Sequence, residues 1–138
     1  MTGHIVQAEQ AKLRYLTEAI QTASPAMLLT MLYDALETDL SQADLAFDDA
    51  DLKTINDRLI HAQDIPMALR STLRNDLWEG AARLGGLYGF LHAELLGANL
   101  DKDRARVGRV AVFVSQLGEA WRQAAGRQEF PENVGGVA

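Results

Sequence analysis

Residues 24–48 read SPAMLLTMLYDALETDLSQADLAFD, and this stretch decides the fold. Ser24 can accept from the free amides of a first helical turn, and proline at the first helical position gives up only an amide that had no partner. Apolar residues follow at Leu28, Leu29, Met31, Leu32, Tyr33, Ala35, Leu36, Leu40, Ala43 and Phe47. On a helical wheel they fill an arc of about 200°, twice the minimum stripe of a surface helix. A helix from Pro25 to Asp48 therefore needs neighbours on two sides. Asp39 falls within that arc; a buried carboxylate needs a partner, so Asp39 is expected at the rim.

The flanking stretches repeat the pattern. Asp51 can cap a helix from Leu52 to Leu73, in which Leu52, Ile55, Leu59, Ala62, Leu69 and Leu73 mark an apolar stripe. Pro66 has no amide for the Ala62 carbonyl, so a kink is expected near Ile65; the stripe resumes in phase, which argues against a break. Asp76 and Glu79 have capping-box spacing and open a helix carrying Leu77, Ala81, Leu84, Tyr88, Leu91 and Leu95. That helix also holds Gly80, Gly85, Gly86 and Gly89, each costing about 1 kcal/mol relative to alanine. Ala82, Gly86, Gly89, Ala93 and Gly97 line up as a small-residue stripe, which either packs tightly within the bundle or forms a groove for a partner. Asp101 is expected to cap the last helix, with Val107, Val110, Val114, Leu117, Trp121 and Ala124 as its seam and Gly126 as its end.

Before Ser24, Ile5, Leu13, Leu16 and Ile20 sketch an amphipathic helix too short to be stable alone. These elements predict an all-α protein, an antiparallel four-helix bundle with a short, displaceable N-terminal helix. Residues 1–138 form one domain, with a mobile segment over 1–21, the bundle over 25–126 and a frayed tail over 127–138.

Composition excludes several function classes. The chain has no cysteine, which removes disulfides, thiolate metal sites and thiol nucleophiles. Its apolar runs are too short to span a membrane, and no signal peptide is evident, so a cytoplasmic protein is expected. A net charge of −6 and a pI of about 4.9 oppose nucleic-acid binding. Between Tyr15 and Leu52 there is no lysine or arginine, while Glu18, Asp34, Glu37, Asp39, Asp44, Asp48, Asp49 and Asp51 concentrate negative charge there. A run of this kind reads as a solvated face.

Catalytic and metal motifs are missing. None of His4, His61 and His92 has a glutamate three residues before it, as di-iron bundles require. Asp49 and Asp51 begin a calcium-loop spacing, but Thr54 replaces its glycine and Ile60 its closing glutamate. The serines have no activating histidine nearby. No metal, cofactor or catalytic residue is expected, and the chain does not read as an enzyme. The rival is a small helical lyase or mutase in which Arg58, Arg70, Arg74 and Arg83 converge on an anionic substrate in a deep polar pocket.

Thr22-Ala23-Ser24-Pro25 precedes Met31-Leu32-Tyr33-Asp34, with Tyr15 and Ile20 before both. Ala62-Gln63-Asp64-Ile65, Leu87-Tyr88, Ala98-Asn99 and Ala120-Trp121 follow in order. The set resembles the flagellin export chaperone family, FliS, across roughly residues 15 to 125. The resemblance implies a cytoplasmic helical bundle that binds the disordered C-terminal segment of flagellin, prevents premature polymerisation and assists export. Export-gate components and flagellar regulators are further partners it allows, and an adaptor for another flagellar component is the alternative.

A segment that folds on binding needs long apolar grooves to offset its ordering entropy. The helix from Pro25 is expected to wall one, with Leu29, Tyr33, Leu36 and Leu40 as client contacts and Gly86 and Gly89 as a second surface. The resemblance further implies that Tyr15 and Ile20 belong to a displaceable lid over residues 5–20, while Trp121 is expected in the core. The chain departs from the family pattern at Ala35, where glycine is usual, at Glu37 and Asp39, where apolar residues are usual, at Pro66, and at Leu77-Trp78, where paired glycines are common. Glu37 and Asp39 would suit a client carrying lysine or arginine.

Overall fold

The computed structural model describes residues 9–11, 14, 25–73 and 79–126. Four long helices fill the last two spans: α1 Pro25–Asp48, α2 Leu52–Ser71, α3 Glu79–Asp101 and α4 Arg104–Gly126. The ends of α1 and the start of α2 lie where the cap and stripe signals put them. Glu9, Gln10, Ala11 and Arg14 are helical and exposed. Ser24 as a cap, the rest of the N-terminal helix, the Asp76 capping box, Leu77 and the tail lie outside the described residues.

The two shortest connections explain why successive helices run antiparallel. At the end of α1 the Asp51 amide donates to the Ala46 carbonyl at 3.0 Å and the Ala50 amide to the Phe47 carbonyl at 3.2 Å, a Schellman motif with Ala50 at φ 51°. Asp51 then starts α2, because its carboxylate accepts from the Thr54 amide at 3.1 Å and from the Thr54 hydroxyl at 2.6 Å. Those bonds hold the Asp51 carboxyl below the usual carboxylate range. The α3–α4 connection repeats the device. The Asp103 amide donates to the Ala98 carbonyl at 2.9 Å, Lys102 takes φ 50°, and the Asp103 carboxylate accepts from the Arg106 amide at 3.1 Å. Asp103, rather than the expected Asp101, is therefore the cap; Asp101 still belongs to α3.

The helices close a ring in which α1 packs on α2 and α4, and α3 packs on α2 and α4. The three-and-four spacing becomes the core: Ile55, Leu59, Ala62 and Leu69 of α2, Tyr88, Leu91 and Leu95 of α3, and Val107, Val110 and Val114 of α4 are buried together. Leu52 leaves the stripe and is exposed at the start of α2. Helix α2 continues through Pro66, which is buried, without a break. One turn earlier, the Gln63 carbonyl accepts from His92 Nδ1 of α3 at 2.8 Å, which gives that imidazole its proton on Nδ1.

Asp39 is not at the rim. It is 3% exposed, with His61 Nδ1 bonding one carboxylate oxygen and Arg58 3.5 Å from the other. Asp34, Asp48, Asp49 and Asp51 of the acidic run are exposed, as a solvated face requires, but several of its carboxylates also pair with other helices. Arg122 of α4 meets Asp34 at 2.6 Å and Glu37 at 2.7 Å, and Arg104 of α4 meets Asp44 at 3.0 Å and Asp48 at 2.8 Å. Five carboxylates of α1 thus pair with three arginines from α2 and α4, which fasten α1 to both neighbours.

The small-residue stripe of α3 does not pack tightly within the bundle. Ala82, Gly86 and Ala93 are exposed, and a Cβ on Gly86 would meet nothing within 4 Å. At Gly97 the missing side chain does matter, because a Cβ there would run into the Arg106 guanidinium. The glycine lets Arg106 cross α3 to bond Glu94 at 2.9 and 3.1 Å, and this contact holds the Glu94 carboxyl below the usual carboxylate range.

Candidate functional site

Three residues far apart in sequence meet inside the bundle. The hydroxyls of Tyr33 on α1 and Tyr88 on α3 lie 2.7 Å apart, and the Trp121 indole N–H of α4 donates to the Tyr33 hydroxyl at 3.0 Å. The two phenol rings are tilted by 58° with centroids 6.5 Å apart, within the range of favourable aromatic pairs. Burial deprives a phenolate of water, so both tyrosines are pushed above the ordinary pKa and stay protonated. The triad thus serves as a neutral hydrogen-bonded clamp that sets the angle of the Trp121 ring.

Trp121 is only partly buried, and α3 and α4 are in less extensive contact than the other packed pairs. A shallow groove of about 420 Å³ opens between them, lined by Gly80, Arg83, Leu84, Leu87, Leu117, Ala120 and Trp121. Phe90 follows Leu87 by three residues and Phe113 precedes Leu117 by four, so both continue the lining faces away from Arg83; they are 57% and 39% exposed. Farther along, the Arg106–Glu94 ion pair bridges the two helices. A second groove of similar size, about 430 Å³, lies between α1 and α4, where Glu37, Ser41, Asp44 and Ser115 share the lining with Leu40, Val107, Gly108 and Ala111. The α3–α4 groove differs in carrying larger apolar side chains, with Leu84, Leu87, Leu117 and Trp121 beside a single charged residue.

The expected site residues divide into three groups. Tyr15 and Ile20 lie outside the described residues. Leu29, Tyr33, Leu36 and Leu40 are each exposed by 1% or less and belong to the core, and Leu40 also lines the α1–α4 groove. The wide arc of α1 is apolar because it faces α2 on one side and α4 on the other. Gly86 is open to solvent, and Gly89 is half-buried with the Arg70 guanidinium 3.5 Å from where its Cβ would be. The arginines of the enzyme rival go to separate places. Arg58 pairs with Asp39, Arg70 lies along Gly85 and Gly89, and Arg83 lines the α3–α4 groove; Arg74 is outside the described residues.

The family model described as "Flagellar protein FliS" matches residues 7–128. The chain belongs to the FliS family. It is 31% identical to the flagellar secretion chaperone FliS of Bacillus subtilis over 110 residues, covering 80% of this chain and 82% of the relative. It is also 31% identical to the flagellar secretion chaperone FliS of Salmonella typhimurium over 117 residues, covering 83% and 87%. These relatives are named as chaperones, not as enzymes.

Family membership gives the motif residues a physical meaning. Tyr33, Tyr88 and Trp121 come from three of the motifs and form the aromatic clamp. Gln63 and Asn99 come from two others and join neighbouring helices, Gln63 through His92 and Asn99 through a 3.0 Å bond to Asn56. In this FliS-family chain the motifs therefore describe the polar joints of the bundle and one wall of its apolar groove. The residues that sequence reasoning missed are Leu84, Leu87, Leu117, Phe90 and Phe113. Leu84 and Leu117 sat on core seams, whereas Phe90 and Phe113 were legible as aromatics out of phase with those seams. No described helix is long and apolar enough to cross a membrane.

Proposed function

We propose that the protein is a cytoplasmic chaperone that holds the disordered C-terminal segment of flagellin in the α3–α4 groove, preventing premature polymerisation and assisting export. The observation that carries this reading is the groove itself. Leu84, Leu87, Leu117 and Trp121 line an open furrow in a chain of the FliS family, and Phe90 and Phe113 prolong it. Apolar side chains left partly in water at a rigid helix–helix junction favour a segment that orders as it binds, because burying them supplies roughly 25 cal/mol per Å² against its ordering cost. Residues 5–20 act as a displaceable cover over the client site, with Tyr15 and Ile20 as its contacts. Their removal leaves flagellin affinity unchanged or tightens it.

Calorimetric titration of the cognate flagellin C-terminal peptide tests the groove. Leu87→Gln is expected to weaken binding at least about tenfold, as central apolar contacts do. Ala120→Gln, at an exposed position that the fold tolerates, should weaken it in the same direction. Wild-type affinity in either variant would place the client elsewhere and favour an adaptor role for a different flagellar component.

A further inference from the structure

The α3–α4 groove contains a single charged side chain among its lining residues, Arg83. Arg58, Arg104, Arg106 and Arg122 each meet a carboxylate on another helix. Arg83 is exposed and meets none within ion-pair distance among the described residues. Five carboxylates of α1 are thus paired within the bundle, whereas the Arg83 guanidinium beside Leu84 and Leu87 has no carboxylate partner among the described residues. An apolar segment laid over those leucines strips water from Arg83, and a desolvated unpaired cation opposes binding. A carboxylate on the segment reverses the sign, since guanidinium and carboxylate form two parallel charge-assisted hydrogen bonds.

We infer that Arg83 selects a client segment bearing an aspartate or glutamate beside the apolar side chains that cover Leu84, Leu87 and Trp121. This rests on the groove assignment above, and it reverses the lysine or arginine expected from Glu37 and Asp39. Glu37 is held by Arg122, and Asp39 is buried against His61 and Arg58. The client's basic residues therefore gain little from α1, whereas an acidic residue gains a partner at Arg83 and a basic one is repelled there.

The test is calorimetric titration of wild type, Arg83→Glu and Ala120→Gln with two peptides: the cognate flagellin C-terminal segment, and the same segment with each aspartate and glutamate changed to its amide. Circular dichroism confirms that each variant is folded. Arg83→Glu should weaken the native peptide about tenfold at low salt and much less at high salt, because screening suppresses a partly exposed pair. The amide peptide should bind wild type more weakly than the native one and lose its sensitivity to Arg83→Glu. If Arg83→Glu binds the native peptide as wild type does while Ala120→Gln is impaired, the groove stands and the role of Arg83 is overturned. Equal weakening of both peptides by Arg83→Glu would also overturn it, and wild-type affinity in Ala120→Gln would overturn the groove and this inference together.

Discussion

Tyr33, Tyr88 and Trp121 connect packing to function at the scale of single residues. Their hydrogen bonds lie between three helices, so losing one hydroxyl loosens more than one interface. The pH dependence follows from burial. Unfolded phenols ionise near pH 10, while the folded pair is held protonated to higher pH. Above about pH 10 the unfolded chain therefore binds fewer protons, and stability falls as pH rises through that window, with the full contribution present below it. Denaturant titrations from pH 8 to about 11.5 should show wild type losing stability more steeply than Tyr33→Phe/Tyr88→Phe. Leu36 gives a second prediction at this scale. As a fully buried core residue it should cost about 2–5 kcal/mol of stability when changed to alanine, measured by urea unfolding, while the folded protein keeps its client affinity. A normal midpoint with lost binding would return Leu36 to the client surface.

At the scale of the element, the connections do more than join helices. Asp51 and Asp103 each close one helix through a backbone amide and open the next through a carboxylate, so two or three residues reverse the chain. Ala50 holds its left-handed conformation without the freedom of glycine, at a cost of about 1–2 kcal/mol. Ala50→Gly should relieve that strain and, after the added entropy of the unfolded chain, raise stability by about 0.5–1 kcal/mol in a urea titration. Lys102→Gly should gain less. The Lys102 ammonium bonds the Asn99 carbonyl at 2.7 Å and its side-chain oxygen at 2.6 Å, contacts that glycine would lose.

Much of this level was legible in the sequence, because caps and apolar periodicity act over three or four residues. The Asp51 cap, the limits of α1 and the α4 seam through Val107, Val110 and Val114 are local patterns. The ion-pair partners were not. Arg122 and Glu37 are 85 positions apart, and no local pattern says which arginine faces which carboxylate. The same limit applies to the burial of α1. A wheel shows that α1 is apolar over a wide arc, but only the placement of α2 and α4 shows that both sides of that arc are covered.

For the whole molecule, charge and apolar surface are arranged in opposite ways. Much of the negative charge of α1 is used to bind the bundle together, while apolar surface remains open in the groove between α3 and α4. The proposed chaperone role depends on that opening. Its most direct test uses Trp121 as the sole tryptophan in a Trp78→Phe variant, titrated with cognate flagellin C-terminal peptides carrying a nitroxide label walked along their length. Nitroxide quenches indole emission only at near contact. The account predicts saturable quenching of Trp121 for at least one label position, at the same peptide concentrations that saturate calorimetric binding. Unchanged Trp121 emission at every label position, with the peptide fully bound, would contradict it.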